Sequence, residues 1–183
     1  VPQCDVRGAQ AWWIWYNFAM AEVTLGGNPV HTSGELPAVG SSAPSFDLAG
    51  SDLGNISSDD LAGKNVVLNI FPSVDTPTCA ASVRTFNERA AGLDDTVVLC
   101  VSADLPFAQG RFCGAEGIEN VKTGSTFKSS FGADYGVTLT DGPLAGVLAR
   151  AVVVVGPDGN AKHTEMVSEI ADEPDYDAAL GAI

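Results

Sequence analysis

Three short runs, Val66 to Phe71, Val97 to Val101 and Ala151 to Val155, are almost continuously apolar and rich in β-branched residues. Strands of this composition are buried on both faces, and a sheet that hides both faces needs helices laid over it. The intervening segments supply them: Thr78 to Ala91, Phe107 to Ala115 and, more briefly, Phe127 to Tyr135 read as helices, and a last one spans Pro174 to Leu180, where acidic residues suit an N-terminus. Ahead of the first run, VTLGGNPVHTSGEL over residues 23–36 places a Gly-Gly-Asn-Pro cluster between two β-prone stretches, the pattern of a hairpin, and a short strand follows at Ser45 to Leu48. Pro157-Asp158-Gly159-Asn160 turns the chain into a final strand, Ala161 to Val167. Strands alternating with helices, then a terminal hairpin and helix, indicate an α/β sandwich.

The 183 residues fit one domain. Residues 1–19 differ from the rest, with Trp12, Trp13 and Trp15 crowded beside Ile14, Tyr16 and Phe18. That apolar stretch is about half the roughly 20 residues a membrane span needs. Asp5 offsets Arg7 ahead of it, and no small-residue cleavage motif follows, which argues against an export signal. The segment reads as an extension outside the fold, with the domain covering residues 20–183 from Met20 and a cytoplasmic location.

The formal net charge is −14, and only nine Lys and Arg residues are spread along the chain. Nucleic acids and anionic membranes are recognised by clustered basic side chains, so neither is expected as a partner. The four cysteines, Cys4, Cys79, Cys100 and Cys113, lie far apart, with no C-x-x-C pair and no histidine cluster. This spacing argues against zinc and against a disulfide scaffold, and favours reduced thiols of which a subset is reactive.

The cysteines differ in their settings. Cys79 lies in NIFPSVDTPTCAASVRTF, where an apolar strand has just ended and a helix begins. Thr76 and Pro77 read as N-cap and first helical residue, so Cys79 falls in the first turn, where unpartnered amides and the positive end of the helix dipole favour a thiolate. The carboxyl end of a central strand is also where open α/β sheets place their sites. Cys100, inside VVLCVSA, reads as core filler. Cys113 stands near the end of a short helix followed by Gly114 and Gly117, where backbone mobility would let it approach a second thiol. Cys4 falls in the extension and is given no role.

With Pro72, Thr76 and Cys79 spaced as P-x-x-x-T-x-x-C, and with VLCVSADLPFAQGRFCGAEG and DGPLAGVLARAVVV downstream, the chain closely resembles the bacterial thiol peroxidases, which are atypical two-cysteine peroxiredoxins. The resemblance runs from about Met20 to Ile183. It implies a thioredoxin-like sandwich with an N-terminal hairpin, commonly a homodimer, that reduces hydrogen peroxide and organic hydroperoxides with electrons from thioredoxin. It also implies that Cys79 is the peroxidatic cysteine, that Cys113 is the resolving one, and that Arg150 is the active-site arginine.

These residues suit that chemistry. A thiolate attacking a peroxide oxygen expels hydroxide or alkoxide, so the site must stabilise an anionic nucleophile and an anionic leaving group. The Thr76 hydroxyl, the first-turn amides and the fixed cation of Arg150 are the expected donors, and Pro72 is expected to shield the thiolate. A Cys79 sulfenic acid would condense with Cys113 to an intramolecular disulfide before further oxidation, and an external dithiol would restore both thiols. Arg84 reads as solvated, and His31 and His163 as structural or solvated. No metal or cofactor is expected, because two sulfurs carry the redox chemistry. A peroxide sensor passing its oxidation to a partner protein would use the same cysteines, although an internal Cys113 favours turnover. A general disulfide oxidoreductase lacks its C-x-x-C motif.

Overall fold

The structure, a computed structural model, describes residues 20–183; the expectations for residues 1–19 lie outside the described residues. A hairpin of β1 (Glu22–Leu25) and β2 (Asn28–His31) precedes a sheet built from β3 (Asp47–Gly50), β4 (Asn55–Ser57), β5 (Asn65–Ile70), β6 (Thr96–Ser102), β7 (Lys122–Ser125), β8 (Ala151–Val155) and β9 (Ala161–Met166). The spatial order is β4-β3-β7-β6-β5-β8-β9, with β5, β6 and β7 parallel and the other pairs antiparallel. The helices are α1 (Pro77–Ala90), α2 (Pro106–Glu116), α3 (Phe131–Asp134) and α4 (Tyr176–Leu180).

The three apolar runs are the central strands β5, β6 and β8, and the two-residue alternation of side chains explains why they are apolar throughout. Leu68, Ile70, Leu99, Val101 and Val153 join one core with Phe46, Phe131 and Tyr135. Val67, Val98, Cys100, Val152 and Val154 join another with Cys79, Val83 and Phe86 of α1, Phe112 of α2 and Ala179 of α4. Burial of each such side chain contributes roughly 1.5–3 kcal/mol. A third, smaller cluster packs Val23 and Val30 of the hairpin against Leu139, Ala149 and Ile170.

Several expectations shift. The strand expected at Ser45 to Leu48 begins two residues later, and the helix expected from Phe127 shrinks to the single turn α3, because Thr126 to Ser130 is held in turns. Strand β4 and strand β7 were not expected. The sequence of β7, Lys-Thr-Gly-Ser, has no apolar run, yet Thr123, Gly124 and Ser125 are buried, because β7 lies between β3 and β6 in the sheet. A Cβ at Gly124 would stand 2.8 Å from Leu48 Cδ1, so the absence of a side chain there is what lets Leu48 pack.

Candidate active site

The site forms beyond the carboxyl ends of β5 and β6. Strand β5 leads into buried Phe71 and Pro72, and the loop Ser73–Thr76 then turns into α1. Asp104, just past β6, holds that loop. Its Oδ1 accepts from Ser73 Oγ at 2.7 Å, and its Oδ2 accepts from the Val74 amide and from Ser102 Oγ, both at 2.8 Å. Behind it, buried Gln109 of α2 donates to Ser102 Oγ at 2.9 Å and to the Gly124 carbonyl at 3.2 Å. The start of α2 and the loop before α1 are thus tied to one carboxylate.

Thr76 takes the N-cap position in extended conformation, φ −102° and ψ 145°, and Pro77 follows as the first helical residue. The cap position is as expected, and the direction of its hydroxyl is not. The Thr76 hydroxyl donates to the Ser73 carbonyl at 3.1 Å and makes no bond to the helix amides or to Cys79, so its single proton closes the loop and reaches another acceptor only after rotation. Cys79 is the third residue of α1 and is 0% exposed. Pro77 offers no N–H, and the first closed helical bond runs from the Ala80 amide to the Thr76 carbonyl, so the amides of Thr78 and Cys79 stand ahead of the ladder.

Arg150, immediately before β8, is 2% exposed. Its Nη2 lies 3.4 Å from Cys79 Sγ as a donor, and its Nε donates to the Ile170 carbonyl at 2.9 Å. Among the described residues it has no carboxylate partner, and its Nη1 has no hydrogen-bond acceptor. A guanidinium taken out of water demands a counter-charge or full hydrogen bonding. Of the two groups it meets, only the sulfur of Cys79 can become an anion, so the pair is complementary in the thiolate form.

Cys113 sits half-buried on α2 and packs against the same apolar cluster as Cys79. Burial pushes its thiol up, and a hydrogen bond with Thr123 partly opposes this. Cys79, Cys100 and Cys113 are all free thiols. Cys100, fully buried in β6 with Asn69 Nδ2 donating to its sulfur at 3.6 Å, is pushed up to about 12, chiefly by burial. Arg84 is exposed, as expected, and pairs with Glu116 at 2.8 Å, tying α1 to α2, while Arg111 of α2 pairs with Asp75 of the loop at 3.1 Å. His31 pairs with Asp141 at 2.7 Å, outside the site, and His163 lies on β9.

A depression of about 340 Å³ over the loop is lined by Val74, Thr76, Pro77, Ala80, Arg111 and Phe112. Another of about 300 Å³, beside Tyr135 and Asp158, opens at the opposite ends of β5 and β8 and reaches no thiol.

Residues 38–180 match the Redoxin family. The chain is 68% identical over 164 residues to a thiol peroxidase of Mycobacterium tuberculosis, an alignment that covers 90% of this chain and 99% of the relative. The chain belongs to the thiol peroxidases. A Corynebacterium glutamicum thiol peroxidase is 57% identical over the same share of each chain. Among solved structures, a peroxiredoxin-like protein from Aquifex aeolicus superposes with a TM-score of 0.84 at 38% identity, covering 90% of this chain and 99% of that one. A Chromobacterium violaceum thiol peroxidase, at 21% identity, shares the fold with a TM-score of 0.80 over 87% of this chain and 94% of that one. This thiol peroxidase is therefore a peroxidase of the peroxiredoxin group with the expected thioredoxin-like sandwich and N-terminal hairpin. No helix among its described residues is long and apolar enough to cross a membrane.

Of the residues singled out in the sequence, the fold gathers Pro72, Thr76, Cys79 and Arg150 at one end of the sheet and sets Cys113 on the neighbouring helix. Asp104 and Ile170 were missed. Their contributions are a loop anchor and a backbone carbonyl, and neither has a local sequence signature.

Proposed function

We propose that Cys79 is the peroxidatic cysteine of this thiol peroxidase, Cys113 its resolving cysteine, and Arg150 the cation that serves both thiolate and leaving oxygen. The observation that carries this reading is the buried donor contact from Arg150 Nη2 to Cys79 Sγ, 3.4 Å, in the first turn of α1. The Cys79 thiolate attacks one peroxide oxygen, the O–O bond breaks, and Cys79 becomes a sulfenic acid while water or alcohol leaves after protonation. Arg150 Nη1, without an acceptor in the reduced protein, is a donor available to the peroxide oxygens. Pro72 shields the thiolate, and the Thr76 hydroxyl joins the donors by rotating off the Ser73 carbonyl. Cys113 then attacks the sulfenic sulfur; a disulfide forms and water departs. Thioredoxin, in two thiol–disulfide exchange steps, takes the oxidising equivalents and returns both thiols. Family likeness further supports a homodimer, a cytoplasmic setting and residues 20–183 as the working domain.

Thioredoxin-coupled consumption of cumene hydroperoxide, with intact mass after peroxide treatment, tests the assignment in wild type, Cys79→Ser and Cys113→Ser. The reading expects Cys79→Ser to lose the first oxidation, and Cys113→Ser to gain one oxygen but fail to turn over. Turnover retained in Cys79→Ser would overturn it. Fast oxidation of wild type without thioredoxin-linked turnover would favour the sensor.

A further inference from the structure

Arg150 is aimed by one backbone carbonyl, that of Ile170, and the segment carrying this carbonyl is itself pinned by a side chain that the chemistry does not use. Ile170 donates its amide to the Thr24 carbonyl of β1 at 2.8 Å, and the Thr24 amide donates to the Ser168 carbonyl at 2.7 Å. Residues 168–170 are thereby laid along the hairpin as a short extra strand. Between them, the Glu169 carboxylate collects four donors: the amides of Gly26 and Gly27 at 3.0 Å each, Ala171 N at 3.1 Å and Thr24 Oγ1 at 2.9 Å. The two glycines have φ +60° and +78°, a left-handed turn that presents successive N–H groups to the two oxygens of one carboxylate. The next residue, Ala171, accepts from Thr78 Oγ1 at 3.0 Å, one position before Cys79 in α1.

We propose that Glu169 is a positioning residue for the peroxidase reaction: by clamping the hairpin turn onto residues 168–171 it holds the Ile170 carbonyl that orients Arg150 against Cys79. The proposal rests on the assignment of Cys79 and Arg150 made above. Glu169 touches neither the sulfur nor the peroxide. Its effect passes through the Ile170 carbonyl to the Arg150 Nε–H, and it should be felt where the arginine's fork of donors matters, which is on the departing oxygen.

The test compares two reactions of Cys79 in the full-length reduced protein, both read on the alkaline plateau of each variant's pH–rate profile, where the fraction of thiolate no longer limits either: stopped-flow oxidation by hydrogen peroxide, whose leaving oxygen needs Arg150, and alkylation by iodoacetamide, whose leaving iodide does not. Glu169→Gln is expected to slow oxidation by about tenfold, since small misplacements of a remote origin are magnified in the reaction rate, and to alter alkylation far less. In an Arg150→Lys background the same substitution should add no further loss, because the path to the sulfur is already broken. Equal slowing of both reactions, or a full additional loss in the Arg150→Lys background, would make Glu169 a general structural anchor and overturn the proposal. Arg150→Lys by itself separates the two levels: if it leaves oxidation unchanged, the assignment of Arg150 fails; if it slows oxidation while Glu169→Gln does not, only the role of Glu169 fails. Should Glu169→Gln not fold by circular dichroism, Thr24→Val, which removes one of the four donors, decides instead, with selective slowing of oxidation expected and an unchanged ratio of the two rates contradicting the proposal.

Discussion

Cys79 and Cys100 lie in the same apolar cluster and both are 0% exposed, yet their neighbours differ in kind. Cys100 is held mid-strand by a neutral amide, Asn69 Nδ2, and burial pushes its thiol up to about 12, so at neutral pH it keeps its proton. Cys79 stands at the start of a helix with a buried guanidinium on its sulfur. Asn69 even touches both settings, since the same amide nitrogen donates to Ser82 Oγ, which donates to the Cys79 carbonyl. Burial alone makes a thiol inert. Burial beside a cation and unpaired amides makes a dry, preorganised site for an anion.

The largest expected effect separates the two directly. Cys79→Ser should reduce peroxide consumption by at least about 10³-fold, whereas Cys100→Ser, which swaps one small core group for another away from the cation, should stay within about twofold. A large loss in Cys100→Ser, measured in the thioredoxin-coupled assay, would mean that the strand thiol takes part. Removing the distinguishing neighbour comes next. Arg150→Lys keeps a charge but not the fork of donors, and should slow peroxide oxidation by about 10²-fold, the scale of losing one oxyanion donor, without changing alkylation of Cys100.

Two smaller effects concern what surrounds the site. Glu116→Gln frees Arg84 and removes one tie between α1 and α2. Disulfide formation between Cys79 and Cys113 should then quicken by about two- to fivefold, the scale of an exposed ion pair, in rapid-quench mass analysis. The smallest is a pH effect on stability. Hydrogen bonds from Gly27, Gly26 and Ala171 hold the Glu169 carboxyl at about 2, below its ordinary 4.5. A depressed carboxyl stabilises the fold fully above its unfolded value and loses that contribution as pH falls through the folded one. The gap in Tm between wild type and Glu169→Gln should therefore be open at pH 7, narrow below about 4.5 and close near 2. A gap that stays constant across this range would contradict the clamp.

The sheet centre and α1 were legible because their signals are local: continuous β-branched runs for β5, β6 and β8, and Thr76-Pro77 ahead of Cys79 for the helix start. The cysteine roles came with the resemblance. Strand β7 was not legible, since its burial comes from its place between β3 and β6, with Leu48 over Gly124, rather than from the hydrophobicity of Thr123, Gly124 and Ser125. Nor was the support of Arg150, which joins residue 150 to the carbonyl of residue 170 and then to a hairpin 143 positions before Glu169. The hydroxyl of Thr76 shows the same limit at short range: its residue type announces a donor, and only the turn at Ser73 decides where the proton goes.

The central claim is that the buried thiol beside Arg150, and not the buried thiol beside Asn69, is the one peroxide oxidises. The most direct measurement treats reduced Cys113→Ser protein with one equivalent of hydrogen peroxide in the presence of dimedone and maps the label by peptide mass. The account predicts a single adduct on Cys79, with Cys100 recovered as free thiol. An adduct on Cys100, with Cys79 left unmodified, would contradict it.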